Sequence, residues 1–527
     1  MVGITRRDAL KLGAVGGVIA AVPLLRHRSR GDDDRLAESR IPRPYTLPFA
    51  APPVIDLVAG LDGVARRRVE MRMVTAQILP GVSTRLFAYD GVVPGPTFRV
   101  HRGTPAKIRF ANTLPDTHPT LGYRPSTSVH MHGSASLPQF DGYASDVTAP
   151  GEYKDYLYPN FQPARTLWYH DHGVHRTGEN VYMGLAGQYH MYDDRERALP
   201  LPKGAYDVPL TIGDAMFDPS GDLRHEPDHR VGQFGDVILV NGVPWPRMRV
   251  ARRKYRFRVL IGTPARSFNL RLSDGSPMTV IGTDGGLMPV PRNVTSMRAI
   301  SGERYEIVID FARYSPGALV ELRNRSPLNN EDFSNTNKIM AFEVTDDPFD
   351  PSNNDVPAQL FPENPVMLHR ATDALRRRRV RVKRDGEVWT INGHTWDTVI
   401  DSGFTFTEAR PRSGDLEIWE IENSSGGWHH PVHLHLVDFA VLDRNGRAPF
   451  AYERGPKDVV YVGESEIVRL LVRFDGQVGK YMVHCHFLAH EDHDMMTQFE
   501  VFDPDRPADD PFSAPPRSLD DESADPL

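Results

Sequence analysis

The chain has 527 residues, a length that typically corresponds to about three domains. Its hydrophobic content of 40% and aromatic content of 9% are enough for packed cores, which excludes a globally disordered protein. The net charge of -7 is modest and spread along the chain, and no basic domain indicates nucleic acid as a partner. With 45 prolines, 43 glycines and few long helical runs, the composition favours all-β sandwich domains with many turns.

The amino terminus has the pattern of an export signal. Arg6 and Arg7 precede an uncharged, largely apolar stretch at residues 12–25. Because this stretch is shorter than the roughly 20 residues of a membrane helix, no stable membrane span is predicted, and the stretch suits the apolar region of a signal peptide. The paired arginines resemble the twin-arginine signal. We therefore expect residues 1–30 to direct export to the periplasm, the cell surface or the medium, with cleavage or retention as an anchor both open.

Composition and strand periodicity divide the rest of the chain. Residues 31–61 are charged and then proline-rich, which is typical of a linker or wrapping arm. Three β-sandwich domains are predicted at 62–200, 201–350 and 376–503, with a Pro- and Asp-rich linker at 351–375. The acidic tail at 504–527 has the composition of a disordered segment.

Strand patterns recur in the first and third predicted domains. Apolar and charged residues alternate around Val69, Met71 and Met73, and again around Ala106, Ile108 and Phe110. The second of these runs follows Gly103 and ends at Asn112, and a similar run follows Gly414 and ends at Asn423. This repetition predicts that the two domains share one architecture.

Cys485 is the only cysteine of the chain. Exported proteins usually use their cysteines in pairs, as disulfides. A single thiol in an oxidising compartment is a liability unless something occupies it. A bound metal ion is the obvious occupant.

Ten of the 21 histidines fall into four short motifs, one of which contains that cysteine. The motifs are His130-Met-His132, His170-Asp-His172, His430-Pro-Val-His433-Leu-His435, and His484-Cys485-His486 followed by His490 and Met495. On a strand, residues two apart point to the same face, about 6.6–6.8 Å apart, so each His-x-His pair offers two imidazoles side by side. Four such pairs would supply eight nitrogens to one group of metal ions. We call them the histidine cluster: His130, His132, His170, His172, His433, His435, His484 and His486.

The same alternation gives Cys485 a separate function. Its side chain should point away from His484 and His486, so a metal on the sulfur would lie across the strand from the histidine cluster. His490, Met495 and one further histidine would complete this second site, which we call the sulfur site. Two histidines, one cysteine and a weak axial methionine form the ligand set of a blue copper centre. Structural zinc, the competing interpretation, needs no more than four ligands in all.

The sequence resembles the multicopper oxidases, in particular the bilirubin oxidase and spore-coat laccase branch, over roughly residues 45–500. Matching segments include Ser128-Val-His-Met-His-Gly133, Ala164-Arg-Thr-Leu-Trp-Tyr-His-Asp-His172, Asn241-Gly-Val-Pro-Trp245, Lys457-Asp-Val-Val460 and His490-Glu-Asp-His-Asp-Met-Met496. The resemblance implies three cupredoxin-like Greek-key domains. It also implies an oxidase that couples four one-electron oxidations of phenolic, aminophenolic or bilirubin-like donors to the reduction of O2 to two waters.

The resemblance further implies four copper ions and a role for each motif residue. The type 1 copper is expected on His430, Cys485 and His490, with Met495 rather than Met496 as the axial ligand. The type 2 copper is expected on His130 and His433. The coupled type 3 pair is expected on His132, His170, His172, His435, His484 and His486. Asp141 and Glu491 are expected beside the cluster as proton-delivering groups, whereas a turn-forming aspartate and a surface carboxylate are the simpler interpretations.

Two departures and two alternatives remain at this stage. Phe487 stands where bilirubin oxidases usually carry a polar asparagine, and Trp428 either packs over the type 1 site or is cross-linked to His430, as in some bilirubin oxidases. A metallo-oxidase of Cu(I) or Mn(II) is disfavoured because the 16 methionines are scattered. A non-catalytic electron-transfer protein with one copper would leave eight histidines unexplained. The natural donor, the redox potential and the oligomeric state are not determined by the sequence.

Overall fold

The structure, a computed structural model, describes residues 34–225, 232–327, 330–525 and 527. The predicted export signal at residues 1–30 lies outside these ranges. The described strands form six sheets, which confirms the predicted all-β fold class. Within the same ranges, no helix has both the length and the apolar character needed to cross a bilayer.

The first domain is a sandwich of two sheets. Its strands are β1 (Val54–Asp56), β2 (Ala65–Ala76), β3 (Thr84–Tyr89), β4 (Gly95–His101), β5 (Ala106–Asn112), β6 (Val129–His132), β7 (Glu152–Tyr158), β8 (Arg165–Asp171) and β9 (Ala186–Tyr192). One sheet has the order β1-β4-β9-β8-β6, and the other contains β3-β2-β5-β7. Two short helices, α1 (Thr177–Tyr182) and α2 (Asp194–Ala198), flank β9.

The second domain repeats this two-sheet plan. Its strands are β10 (Asp207–Ala215), β11 (Val237–Val240), β12 (Val243–Pro244), β13 (Arg247–Ala251), β14 (Lys254–Ile261), β15 (Phe268–Leu272), β16 (Met278–Thr283), β17 (Gly286–Val294), β18 (Met297–Ala299), β19 (Arg304–Asp310), β20 (Leu319–Asn324) and β21 (Lys338–Thr345). They form the sheets β12-β11-β10-β14-β19-β16-β17 and β13-β21-β20-β15-β18.

The third domain contains two sheets as well. Its strands are β22 (Arg376–Asp385), β23 (Val388–Ile391), β24 (Leu416–Asn423), β25 (His430–Leu434), β26 (Phe439–Arg444), β27 (Val459–Val462), β28 (Ile467–Arg473), β29 (Gly479–Cys485) and β30 (Met496–Val501). The sheets are β23-β22-β24-β28-β26 and β27-β25-β29-β30. The helices of this domain are α3 (Pro365–Leu368), α4 (Trp396–Asp401) and α5 (Leu488–Asp492).

Short 3-10 turns occur along the whole described chain, at Glu38–Arg40, Pro138–Phe140, Gly204–Tyr206, Phe311–Arg313, Ala371–Asp373, Ala451–Glu453 and Leu519–Ala524.

The repeated asparagines occupy equivalent positions in the first and third domains. β2 pairs with β5 and β22 pairs with β24, both in parallel, and each pairing ends at the asparagine. The Asn112 amide donates to the carbonyl of Pro125, and the Asn423 amide donates to the carbonyl of Trp428. These two carbonyls lie in the loops that lead into β6 and β25, the strands that carry the first and third histidine motifs. The two asparagine side chains therefore hold the two strands that carry these histidines in place.

The strand pattern in the first domain is mostly as predicted. Val69 and Met71 are buried, but Met73 is 40% exposed. The pairing of β2 with β5 ends at Met71, so Met73 lies beyond the covered part of the sheet. Of the arm predicted at 31–61, the residues described from 34 onward run along the second domain, where the backbone N–H of Tyr45 donates to the carbonyl of Trp245, and then add β1 to the first domain.

The tail at 504–527 differs from the disordered segment that was predicted. Arg517–Ser518 forms a last strand, β31, which pairs with the edge of β7. The acidic residues that suggested disorder are neutralised there, because Glu522 pairs with Arg68, and Asp525 pairs with the buried Arg109. Charge complementarity with the first domain thus adds to the apolar packing of Phe512 on Tyr143 and Phe404.

Deletion of residues 517–527 should lower the midpoint of thermal unfolding. The deletion removes the two residue pairs between β31 and β7, and the contacts of Arg109 and Arg68 with carboxylates of the tail. We expect the free energy of unfolding to fall by about 2 kcal/mol and the midpoint to fall by roughly 4–8 °C, as measured by calorimetry. The control is Arg506→Ala, which removes an exposed ion pair with Asp503 and an exposed hydrogen bond to Ser413 and should change the midpoint little. An unchanged midpoint in the deletion variant would show that the tail does not stabilise the first domain.

Candidate metal centre

Two pairs of antiparallel strands bring the histidine motifs together. In the first domain, β6 pairs with β8 so that His130 lies opposite His170. In the third domain, β25 pairs with β29 so that His433 lies opposite His484. Residues directly opposite in a ladder point to the same face, and all eight histidines of the cluster are buried.

The two faces meet at the seam between the first and third domains. The His130 ring stacks on His435 with centroids 3.9 Å apart, and the His132 ring stacks on His433 with centroids 3.7 Å apart. The Nε2 atom of His484 lies 3.3 Å from that of His172 and 3.1 Å from that of His435. The structure therefore brings together all the histidines that the sequence assigned to the cluster.

In most of these rings, one nitrogen has a polar partner in the protein and the other has none and is left for a metal. Nδ1 of His433 donates to the carbonyl of Asp458 at 2.8 Å, and Nδ1 of His170 lies 2.8 Å from the carbonyl of Asp171. The opposite nitrogen has no hydrogen-bond partner in four buried rings, namely Nε2 of His130, His170, His433 and His486. In His132 and His172 the orientation is reversed, because Nδ1 is the unpartnered atom.

The donor set fits copper. A buried nitrogen without a partner costs about 1–3 kcal/mol, and a coordinated metal ion would remove that cost at each ring. Imidazoles oriented through their other nitrogen are the usual arrangement of metal-binding histidines. Ligating atoms of several triads, including His172, His435 and His484, lie within 4.8 Å of one another.

Burial also keeps these imidazoles in the metal-binding form. Desolvation lowers the pKa of His170 to about 3 and that of His172 to about 4. It lowers the pKa of five further members well below the usual value: His130, His132, His433, His435 and His486. The rings are therefore neutral at pH 7, as coordination requires.

The sulfur site lies on the other face of β29. Cys485 Sγ is 3.3 Å from Nδ1 of His430 and 3.7 Å from Nδ1 of His490, and these two nitrogens are 3.3 Å apart. Met495 is fully buried in the same core, and its carbonyl accepts a hydrogen bond from the Cys485 backbone at 3.0 Å. Met496 packs in a different cluster with Met482 and Trp396, so the structure places Met495, and not Met496, beside the cysteine.

Aromatic rings and a serine hold the sulfur-site histidines. The His490 ring stacks on Trp389 at 3.8 Å and on Phe487 at 3.9 Å. Ser425 Oγ lies 2.8 Å from Nε2 of His430. Phe487, which departs from the family pattern, therefore packs on a predicted ligand. Sequence reasoning did not identify the contacts of Trp389 and Ser425, because β23, which carries Trp389, and the loop that carries Ser425 meet these histidines only in the folded domain.

Both predicted carboxylates lie against the histidine cluster and are buried. Asp141 Oδ2 is 2.7 Å from Nδ1 of His435, and burial raises the pKa of Asp141 well above its usual value. Burial alone would also raise the pKa of Glu491, but His484 at 3.0 Å and His172 at 3.5 Å lower it to about 2. Asp141 also forms the turn before Gly142, whose φ of +79° and contact with the His130 backbone leave no room for a side chain.

The sulfur site lies beside a cluster of eight imidazoles. This arrangement is that of a copper protein in which one copper site passes electrons to a multinuclear centre. Three multicopper oxidase family models match residues 70–196, 220–342 and 364–505. The chain therefore belongs to the multicopper oxidase family, which comprises copper-dependent oxidoreductases with O2 as the acceptor.

Known relatives agree with this assignment. The chain is 40% identical over 485 residues to the bilirubin oxidase of Albifimbria verrucaria, with 87% of this chain and 81% of the relative covered. It is 34% identical over 476 residues to a laccase of Bacillus subtilis strain 168, with 80% and 91% covered. The crystal structure of the McoA multicopper oxidase from Aquifex aeolicus matches with a TM-score of 0.76 at 30% identity, covering 86% of this chain and 99% of that one.

Copper uptake by the copper-free protein should depend on pH at only one of the two sites. Burial raises the pKa of the Cys485 thiol well above its usual value, so binding at the sulfur site displaces a proton and should weaken about tenfold for each unit of pH decrease. The seven cluster imidazoles with lowered pKa values are already neutral, so copper binding at the cluster should depend much less on pH between about pH 7 and 5. Anaerobic Cu(I) titration against a competing chelator measures both.

The matched control for this titration is Cys485→Ser. This variant should lose the pH-dependent component and keep the pH-independent one, because only the sulfur is changed. Equal pH slopes at the two sites in the unaltered protein would contradict the assignment of the thiol and the neutral imidazoles.

Proposed function

We propose that the chain oxidises phenolic, aminophenolic or bilirubin-like donors and passes four electrons to one O2, which yields two waters. The observation that supports this proposal is the burial of the sulfur-site histidines beneath other side chains. His430 and His490 are fully buried, whereas Trp428 is half-buried and its ring lies 5.6 Å from that of His490. Electrons would therefore enter through side chains, without direct contact between the donor and the copper. The names of the two curated relatives support donors of this class.

A cleft of about 520 Å³ lies along the same segment and is the proposed docking site. It is lined by His429, the neighbour of His430, and by Tyr461, whose ring stacks on that of His429. The guanidinium of Arg298 lies 4.1 Å from the centre of the Tyr461 ring. Arg325 adds a second positive charge. Of the two carboxylates that line the cleft, Glu466 is paired with Arg444 and Glu464 is exposed to solvent. Aromatic donors that carry an acidic group match this combination of ring and charge.

The proposed copper ligands follow the family motifs. His430, Cys485, His490 and Met495 would hold the type 1 ion, and His130 and His433 the type 2 ion. The type 3 pair would be held by His132, His170, His172, His435, His484 and His486. When bound, copper supplies the one-electron acceptors and the site of oxygen reduction. The backbone between Cys485 and its two neighbouring histidines is the shortest covalent connection between the two sites.

Protons for oxygen reduction would come from the buried carboxyl groups. Burial raises the pKa of Asp141 well above its usual value, and its Oδ1 has no hydrogen-bond partner, so this carboxyl group is suited to hold a proton and deliver it to the cluster. Glu491 is ionised at the same pH and would accept and return protons on the side of His172 and His484. Two carboxyl groups with oppositely shifted pKa values are suited to separate proton-holding and proton-accepting roles.

The donor assignment predicts a selective effect of Arg298→Gln. KM for an acidic aromatic donor such as bilirubin should rise about fivefold, equivalent to ~1 kcal/mol for a partly exposed charge contact. KM for a neutral phenol and the blue absorption should not change. Oxygen uptake across a donor panel, with copper analysis of each preparation, measures these values.

Two controls accompany that panel. Arg271→Gln removes the same charge from an exposed position on β15 and should leave every KM unchanged. Cys485→Ser should abolish donor oxidation. About one copper per chain in the unaltered protein would indicate a single-copper electron-transfer protein and contradict the oxidase proposal. Equal changes of KM for acidic and neutral donors would remove Arg298 from the docking site.

We also propose that the chain is exported by its twin-arginine signal. The support is the sequence alone: Arg6 and Arg7 precede the apolar stretch at 12–25. The double substitution Arg6→Lys and Arg7→Lys should retain the protein in the cytoplasm, which fractionation and immunoblotting detect. The matched control changes Arg26 and Arg28 to Lys and should still be exported. Export of the Arg6/Arg7 variant at the normal level would contradict a twin-arginine signal.

A further inference from the structure

The middle domain lies directly against the histidine cluster although it contributes none of the proposed copper ligands. Ser301 Oγ is 3.2 Å from Nδ1 of His486. At Gly302, whose φ is +83°, a Cβ atom would lie 3.0 Å from the His486 ring and 3.2 Å from Cε1 of His132. The loop before β19 therefore touches ligands from both other domains.

Arg304, the first residue of β19, is fully buried and binds all three domains. Its guanidinium forms a two-pronged ion pair with Asp458 of the third domain, with Nη1 2.7 Å from Oδ1. Its Nε donates to the carbonyl of Thr166 in the first domain at 2.9 Å. Its Nη1 also donates to the carbonyl of Gly302 at 2.9 Å. With every prong engaged, the guanidinium fixes the position of the Asp458 carboxylate.

Asp458 in turn contacts two histidines of the cluster. Its carboxylate oxygen Oδ1 lies 3.1 Å from Nε2 of His132, and its backbone carbonyl accepts from Nδ1 of His433. Its backbone N–H donates to Asp284 of the middle domain at 3.2 Å. In His132 the carboxylate engages Nε2, so Nδ1 is the nitrogen left without a partner.

The fit around this ion pair is tight. Gly133 follows β6 with a φ of +87°, and a Cβ atom there would lie 2.7 Å from both Arg304 Nη2 and Asp458 Oδ2. The strand that carries His130 and His132 thus ends directly on the Arg304–Asp458 pair. A shift of the pair would move the end of that strand and the ring of His132 together.

We propose that Arg304 and Asp458 are positioning residues for His132, through which the middle domain determines copper binding at the histidine cluster. Arg304 orients the Asp458 carboxylate, and the carboxylate accepts the Nε2–H of His132. The Nδ1 lone pair of His132 is thereby directed at the metal. The proposal rests on the assignment of His132 as a copper ligand in the proposed function.

The test is Arg304→Lys, which keeps the charge but cannot form the two-pronged pair. Copper affinity of the cluster should fall about 10–100-fold, the usual effect of losing the partner of a metal-binding histidine. Copper per chain should fall below about four, and the near-ultraviolet absorption of the coupled pair should be lost. The blue absorption of the sulfur site should remain, because neither residue contacts it.

A matched control separates positioning from stability. Arg444→Lys weakens another buried two-pronged pair, with Glu453, that contacts no copper ligand. It should leave copper content and both absorption bands unchanged. Asp458→Asn is the second variant, because it keeps the shape of the side chain if Arg304→Lys fails to fold, and it should reduce cluster copper in the same direction.

Each outcome decides the proposal. It is supported if the two variants at the pair lose cluster copper and keep the blue band while Arg444→Lys loses neither. It is overturned if four coppers and both bands persist in the variants, or if Arg444→Lys shows the same loss. In those cases the unaltered protein still binds about four coppers, so the proposed function stands. About one copper in the unaltered protein would overturn both proposals.

Discussion

The two-residue period of β29 is the constraint on which the copper chemistry depends. Because consecutive side chains of a strand point to opposite faces, Cys485 enters the core of the third domain while His484 and His486 face the first domain. A shift of one residue in the pairing with β25 would exchange these faces and destroy both sites. The antiparallel register of His433 with His484 therefore fixes the separation between electron entry and the histidine cluster.

The sequence predicted the features that follow from local periodicity. The histidine pairs, the opposite orientation of Cys485 and the repeated strands ending at Asn112 and Asn423 all depend on spacing along one strand. Residues that act across domains were missed, including Ser301 and Arg304, because no pattern near them indicates what they contact. The disorder prediction for the tail failed for the same reason, since the basic partners of Glu522 and Asp525 lie in the first domain.

The middle domain illustrates how ligand-free parts of a fold affect a metal site. Its own strands lack paired histidines, yet its loop at Ser301 and Gly302 fills the space behind His486 and His132. Buried charges from two domains meet next to that loop: Asp284 and Arg304 of the second domain and Asp458 of the third are each at most 1% exposed. Such groups are stable only when they are fully paired, so the second and third domains must fit together closely at this point.

The seam location of the histidine cluster makes its completion a late event in folding. His130 to His172 and His433 to His486 come from opposite ends of the chain, so half of the donors are missing until the carboxyl-terminal domain has formed and docked. Closing a loop of this length costs entropy that only the interface contacts repay. A chain that stops after the second domain would present at most four of the eight imidazoles. Full copper occupancy therefore indicates that the whole chain has folded.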